Sequence, residues 1–209
     1  MRIWDTWDWK THQPAIRAMM ELYLPKFVLE LGMGPFSTPL FLEYKTEFLS
    51  IENDIEWWNY MRDHYKFNSI FHPLDDGITI GTRLFQLNPI QKWRYFHYYE
   101  DLKLPDLRPS LLFVDQWTCN RTISINALKP RFDIIIYHDC QPPGGIEEYE
   151  YNLINFEGFN VYFLTNPVNW TGIMIKKEID KGFNVLAVQI TPHIQWFANT
   201  FNVMMELKI

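Results

Sequence analysis

A chain of 209 residues with 47% hydrophobic content is long enough for one domain with its own core, and short for several. A net charge of −6 argues against a large nucleic-acid footprint, which needs a basic face, and no run of 18 apolar residues is present to cross a membrane. Two cysteines make no disulfide framework, and residues 1–5 lack an apolar signal segment, so a reducing cytoplasm is the simplest expectation.

The first 25 residues precede the first strand. Trp4, Trp7 and Trp9, interleaved with Asp5 and Asp8, suit either a strap packed on the core or a lid over a substrate. Ile16, Met19, Met20 and Tyr23 recur at helical spacing, which predicts an amphipathic helix ending near Pro25. Residues 27–31 read as a buried strand that runs into Gly32-Met33-Gly34, and Ser37, Thr38 and Pro39 suit the cap and first turn of a helix. A glycine turn there lets a ligand approach the backbone, because no Cβ stands in the way. Residues 48–52 predict a second strand ending in Glu52, and Asn53 or Asp54 caps a helix running to about Phe67. Residues 69–74 predict a third strand ending at Asp75-Asp76-Gly77.

Residues 78–108 form a long insertion with an aromatic-rich helix at 90–102. Residues 110–115 predict a fourth strand closing on Asp115, followed by a helix at 122–128. The β-branched run at 132–139, ending in His138-Asp139, suggests a central parallel strand buried on both faces. A helix is expected at 146–156, and strands at 160–164 and 171–177. Residues 183–190 look like one more strand, and 194–207 are ambiguous. Alternating strands and helices indicate an α/β fold. The expected division is an N-terminal helical strap or lid at 1–25, an α/β domain at 26–179 and an extension of unknown role at 180–209.

Five strand ends carry Glu30, Glu52, Asp75 or Asp76, Asp115, and His138-Asp139. A buried structural carboxylate at each would be costly, so one ligand site at the carboxyl edge of the sheet explains them better. Glu30 and Glu52 stand 22 residues apart, near one strand–helix–strand step, and an acid in the second place can accept both hydroxyls of a ribose. Ser37 stands where the dinucleotide fingerprint has its third glycine, which favours a nucleoside without a pyrophosphate.

These residues resemble the Rossmann-like S-adenosylmethionine-dependent methyltransferases over roughly residues 26–177. Their first motif, acid-x-Gly-x-Gly with a hydroxyl residue beyond, is matched by Glu30, Gly32, Gly34 and Ser37 or Thr38, and their second by Glu52. The resemblance implies a single domain with a mostly parallel seven-stranded sheet, helices on both faces and an antiparallel late strand. It implies S-adenosylmethionine as cofactor, with Glu30, Gly32, Gly34, Ser37, Thr38, Glu52, Asp75, Asp76 and Asp115 in the cofactor site. It places the chemistry at Asp115, His138 and Asp139, as in O-methyltransferases of small hydroxylated metabolites, sugars included. In that group acids after strands four and five often hold a divalent metal, which makes Asp115 and Asp139 the candidates for Mg²⁺ or a similar ion.

Two roles for His138 stay open here: general base, or a structural histidine bonded to a neighbouring loop. Cys119 and Cys140 are expected as free thiols near the cleft rim. No Asn/Asp-Pro-Pro-aromatic motif follows strand four, which disfavours amino-methylation of DNA bases. The segment Gln116-Trp117-Thr118-Cys119-Asn120-Arg121 departs from the family pattern. That departure motivates the rival reading, a catalytically silent module binding a protein partner; protein or RNA methylation is a third. The expected substrate is a small molecule, with no membrane partner, and homo-oligomerisation is left open.

Overall fold

The computed structural model describes residues 10–74, 78, 82–116, 118–142, 149–166 and 169–209. Trp4, Trp7, Trp9, Asp75, Asp76, Gly77, Trp117 and Gly144-Gly145 lie outside the described residues.

The chain opens with helix α1 (Gln13–Tyr23), whose Ile16, Met19, Met20 and Tyr23 are all buried, as their spacing requires. Strands β1 (Phe27–Leu31), β2 (Glu47–Glu52) and β3 (Asn68–Phe71) are linked by helices α2 (Thr38–Glu43) and α3 (Ile55–His64). Asp54 is the cap of α3, accepting the Glu56 and Trp57 N–H groups. Helix α4 (Pro89–Glu100) fills the long insertion, with Asn88 at its cap. Strand β4 (Ser110–Val114), helix α5 (Thr118–Leu128), strand β5 (Ile134–Tyr137) and strands β6 (Phe159–Thr165) and β7 (Thr171–Lys176) follow. Helix α6 (Phe183–Phe201) and strand β8 (Glu206–Lys208) end the chain.

The sheet has the order β3-β2-β1-β4-β5-β7-β6-β8. Strands β1 to β5 are parallel, and β7 inserts antiparallel between β5 and β6. Gly172 on β7 faces Tyr137 on β5. A Cβ at that glycine would stand 2.1 Å from the Tyr137 ring, so a side chain there and the buried tyrosine exclude each other. The sheet therefore matches the expectation and adds an eighth strand, β8, paired antiparallel with β6.

Alternation along the strands sorts two cores. Leu29, Leu31, Leu112, Val114, Ile135 and Tyr137 pack under α4 and α5. Val28, Leu111, Phe113, Ile134 and Ile136 pack under α1, α2 and α6.

Three expectations need correction. Residues 183–190 are not a strand: α6 is a single helix of 19 residues that carries Pro192 within it. Its apolar residues Leu186, Ile190 and Phe197 share one buried face, a helical period that the β-branched run around Val188 and Ile190 obscures. Of the helix expected at 146–156, the described part has Tyr149 in a helix and then only a 3₁₀ turn at Tyr151–Leu153. Helix α5 begins at Thr118, four residues earlier than read. Among the described residues no helix is long and apolar enough to cross a membrane.

Candidate active site

The strand order reverses between β1 and β4, the position at which open α/β sheets bind ligands at the carboxyl ends of their strands. Parity then selects one face. Glu30 follows Val28, Glu52 follows Phe48 and Ser50, Asp115 follows Leu111 and Phe113, and His138 follows Ile134 and Ile136. All fall on the α1 side of the sheet.

The glycine turn is held from both sides. Gly32 has φ +85° and lies against the β4 loop: a Cβ there would stand 2.5 Å from the Asp115 carbonyl carbon and from the Gln116 nitrogen. The Gly32 N–H donates to the Ile51 carbonyl, and the Asp115 N–H donates to the Leu31 carbonyl, each at 2.8 Å. Gly34 is roomier, its nearest neighbour for a Cβ being the Ser37 hydroxyl at 3.3 Å.

Glu30 is fully buried, and its carboxylate accepts from Ser37 Oγ at 2.6 Å and from Thr38 Oγ1 and Ser50 Oγ at 2.7 Å. Thr38 Oγ1 in turn accepts the Gly34 N–H at 3.1 Å. The hydroxyls read as helix caps thus turn inward: Ser37 makes no side-chain cap bond on α2. Glu30, Ser37 and Thr38 brace the turn from beneath. Burial pushes the Glu30 carboxyl up to about 8, against the lowering effect of the three hydroxyl donors.

Glu52 is 3% exposed. Its Oε2 accepts the Met33 N–H at 3.0 Å, and its Oε1 accepts the N–H groups of Asn53 and Asp54 at 2.6 and 2.9 Å. Burial raises its pKa to about 7, the three backbone donors opposing it. A carboxylate offers about four acceptor sites, so room for a further hydroxyl donor remains. The Trp57 indole N–H donates to the Met33 carbonyl and closes the outer side of the turn.

Beside it, the Tyr99 hydroxyl donates to Gln116 Oε1 at 3.1 Å, and Gln116 Nε2 donates to Ser124 Oγ at 2.9 Å. The His72 ring stacks on Tyr98 at 3.4 Å between centroids.

Asp115, His138 and Asp139 do come together, around a residue that sequence reasoning passed over. Arg121 on α5 donates from Nη2 to Asp115 Oδ1 at 2.9 Å and from Nη1 to Asp139 Oδ2 at 3.3 Å. Its Nη1 also reaches the His138 carbonyl at 2.9 Å and the Tyr151 hydroxyl at 3.3 Å, and Nε donates to the Gln116 carbonyl. The Tyr149 ring lies under the guanidinium, 4.0 Å away.

The metal expectation for Asp115 and Asp139 is corrected on this ground. A guanidinium bridges the two carboxylates and supplies the positive charge that an ion shared between them would bring. The donor pair alone does not fit Mg²⁺.

His138 is 3% exposed and engaged at both ring nitrogens. Nε2 lies 2.7 Å from Thr11 Oγ1, and Nδ1 lies 3.4 Å from Asp115 Oδ1 and 3.3 Å from Asp139 Oδ1. Burial alone would lower its pKa, but Asp139 and Asp115 outweigh burial and raise it. Burial likewise opposes ionisation of Asp115, yet His138 and Arg121 hold it down at about 2. Asp139 takes a left-handed backbone, φ 59°, which an aspartate tolerates better than a branched residue.

His12 completes the cluster. Its ring meets His138 edge-on at 4.9 Å and Phe113 at 5.0 Å, and burial lowers its pKa to about 3. Cys119 and Cys140 are free and buried rather than on a rim, and burial pushes both thiols up, Cys119 to about 11.

Thr11, His12 and Arg121 carried no motif. The one available signal for Arg121 was that the segment holding it departs from the family pattern.

No family model and no curated protein matches the chain. Among solved structures, human methyltransferase-like protein 13, in complex with S-adenosylhomocysteine, superposes with a TM-score of 0.55 at 15% identity, covering 92% of both chains. A methyltransferase-like protein from Silicibacter pomeroyi gives 0.48 at 12% identity over 87% of this chain and 93% of its own. The N-methyltransferase NodS from Bradyrhizobium japonicum gives 0.47 at 8% identity over 81% and 96%. With the sheet order and the glycine turn at its switch point, the first of these likenesses identifies the fold as the Rossmann-like fold of the class I S-adenosylmethionine-dependent methyltransferases.

Proposed function

We propose that the protein is an S-adenosylmethionine-dependent methyltransferase acting on a hydroxyl of a small metabolite, sugars included. One observation carries the reading. Gly32 seals the β1 turn against the β4 loop at the switch point, while Glu52 closes the same turn from the end of β2. A turn so fixed presents backbone to a ligand in a preorganised form. The presence of S-adenosylhomocysteine in the human protein of the same fold supports the choice of cofactor.

In the proposed reaction the acceptor oxygen attacks the sulfonium methyl, the C–S bond breaks, and S-adenosylhomocysteine leaves. The acceptor proton goes to solvent or to a carboxylate. Asp115, about a quarter exposed, is the member of the cluster best placed to orient the acceptor. His138, held at both nitrogens, suits a positioning role for the two aspartates better than the general-base role.

The test is incubation of the full chain with methyl-labelled S-adenosylmethionine and a panel of sugars, polyols and phenols. Label on an acceptor oxygen, with matching S-adenosylhomocysteine, is the expected result. Label appearing only on protein or RNA, or S-adenosylhomocysteine formed with none of the panel, overturns the substrate class.

A second reading has one observation in its favour. Arg121 pairs with both Asp115 and Asp139, the two acids on which the resemblance places the chemistry. A cofactor-binding module without turnover would carry such a pairing. The same assay separates the two, because that module binds S-adenosylmethionine and transfers nothing.

A further inference from the structure

His12, Asp115 and His138 offer one ligand atom each, and the three atoms lie within 4.8 Å of one another. His12 lies just ahead of α1, Asp115 after β4 and His138 after β5, so three separate elements converge on the point. Both His12 ring nitrogens are buried and neither has a well-formed hydrogen bond, the Phe36 backbone being the one polar group close enough to act on the ring. A buried imidazole without a well-formed hydrogen bond is costly, and a ligand on it removes the cost.

The neighbouring geometry suits co-ligands better than hydrogen bonds. Two atoms each bound about 2.0–2.1 Å from a tetrahedral ion stand roughly 3.4 Å apart. His138 Nδ1 and Asp115 Oδ1 are 3.4 Å apart, long for a charge-assisted hydrogen bond. His138 Nε2, on the far side of the ring, lies 2.7 Å from Thr11 Oγ1. A histidine that binds a metal through one nitrogen commonly gives its other N–H to such an oxygen.

Charge agrees. Asp115 and Asp139 carry two negative charges and Arg121 one positive, which leaves a single negative charge beside the imidazoles. Each carboxylate oxygen has two lone pairs, so Arg121 does not exhaust Asp115.

We propose that His12, His138 and Asp115 bind a transition-metal dication, with Zn²⁺ as the probe ion. Two imidazoles and one carboxylate select such an ion over Mg²⁺, which prefers oxygen ligands throughout. Three protein ligands leave a coordination position for water or a substrate oxygen, on the side where Asp115 is partly exposed. The site shares Asp115 with the Asp115–Asp139 pair but takes its other two ligands from imidazoles, and it stands whether or not the chain transfers methyl groups.

The experiment uses the full chain, stripped with a chelator and titrated with Zn²⁺ against a chromophoric competitor. A single equivalent bound at micromolar affinity or tighter is expected. His12→Gln should weaken it by about 100-fold or more, since even outer partners of metal ligands are worth 10–100-fold. No binding above the competitor's limit, or equal binding by His12→Gln, overturns the site. Co²⁺ added to the unaltered chain guards against a variant that fails to fold. Visible bands of an imidazole-bound ion are expected, and the spectrum of the free aqueous ion counts against the site.

Discussion

Gly32→Ala is expected to cost at least about 4 kcal/mol of stability, or to leave the domain unfolded, which places it in the rare upper range for single substitutions. Two effects combine. The backbone at Gly32 has φ +85°, where an added Cβ is strained. The Cβ would also sit 2.5–2.6 Å from the carbonyl group of Asp115 and the nitrogen of Gln116. These are backbone atoms, so no side-chain rotation relieves the clash. Nor can the β4 loop retreat, because the Asp115 N–H is bonded to the Leu31 carbonyl at 2.8 Å. Gly34→Ala is the control, because its Cβ would meet only a hydroxyl at 3.3 Å. It should stay within about 1 kcal/mol of the parent, the ordinary cost of a tolerated glycine change. Denaturant unfolding of both variants decides the matter, and equal losses would mean that Gly32 is not the seal of the crevice.

Arg121→Met is expected to cost roughly 3–5 kcal/mol, the usual penalty for removing one partner of a buried ion pair. The guanidinium is 7% exposed and bridges Asp115 and Asp139, which are 26% and 20% exposed. Methionine keeps much of the volume over Tyr149 but leaves the two carboxylates to share the single imidazole of His138. The His138 carbonyl keeps its bond from the Tyr151 hydroxyl at 2.7 Å, so the loss is mainly electrostatic. Adding Asp139→Asn to Arg121→Met should therefore recover part of the stability, whereas a packing loss would simply add. A double mutant no more stable than Arg121→Met would refute the electrostatic account.

Much of this architecture follows from pattern. The apolar runs before Gly32 and Asp115, and the β-branched run before His138, mark central strands because a parallel sheet buries both faces. Alternation then puts Glu30, Glu52, Asp115 and His138 on one face, which four short stretches of sequence suffice to state. Other features were hidden for physical reasons. Glu30 reads as a ligand-facing acid, yet Ser50 is brought to it only by the register of β1 with β2. Arg121 lies six residues past Asp115, and its reach to Asp139 depends on how α5 packs. His12 shows no spacing to any partner, since α1 is laid over the sheet by tertiary contacts alone. Helix α6 looks like a strand in sequence because its β-branched residues hide a helical period.

The central claim is that the crevice between β1 and β4 holds S-adenosylmethionine with Glu52 on the ribose. Calorimetric titration of the folded chain with S-adenosylhomocysteine, repeated on Glu52→Ala, tests it most directly. Single-site binding is predicted for the parent, with affinity at least about tenfold weaker in the variant, because a charge-assisted hydrogen bond contributes roughly 1.5–3 kcal/mol. No heat of binding at millimolar ligand, or a dissociation constant unchanged by Glu52→Ala, would contradict it.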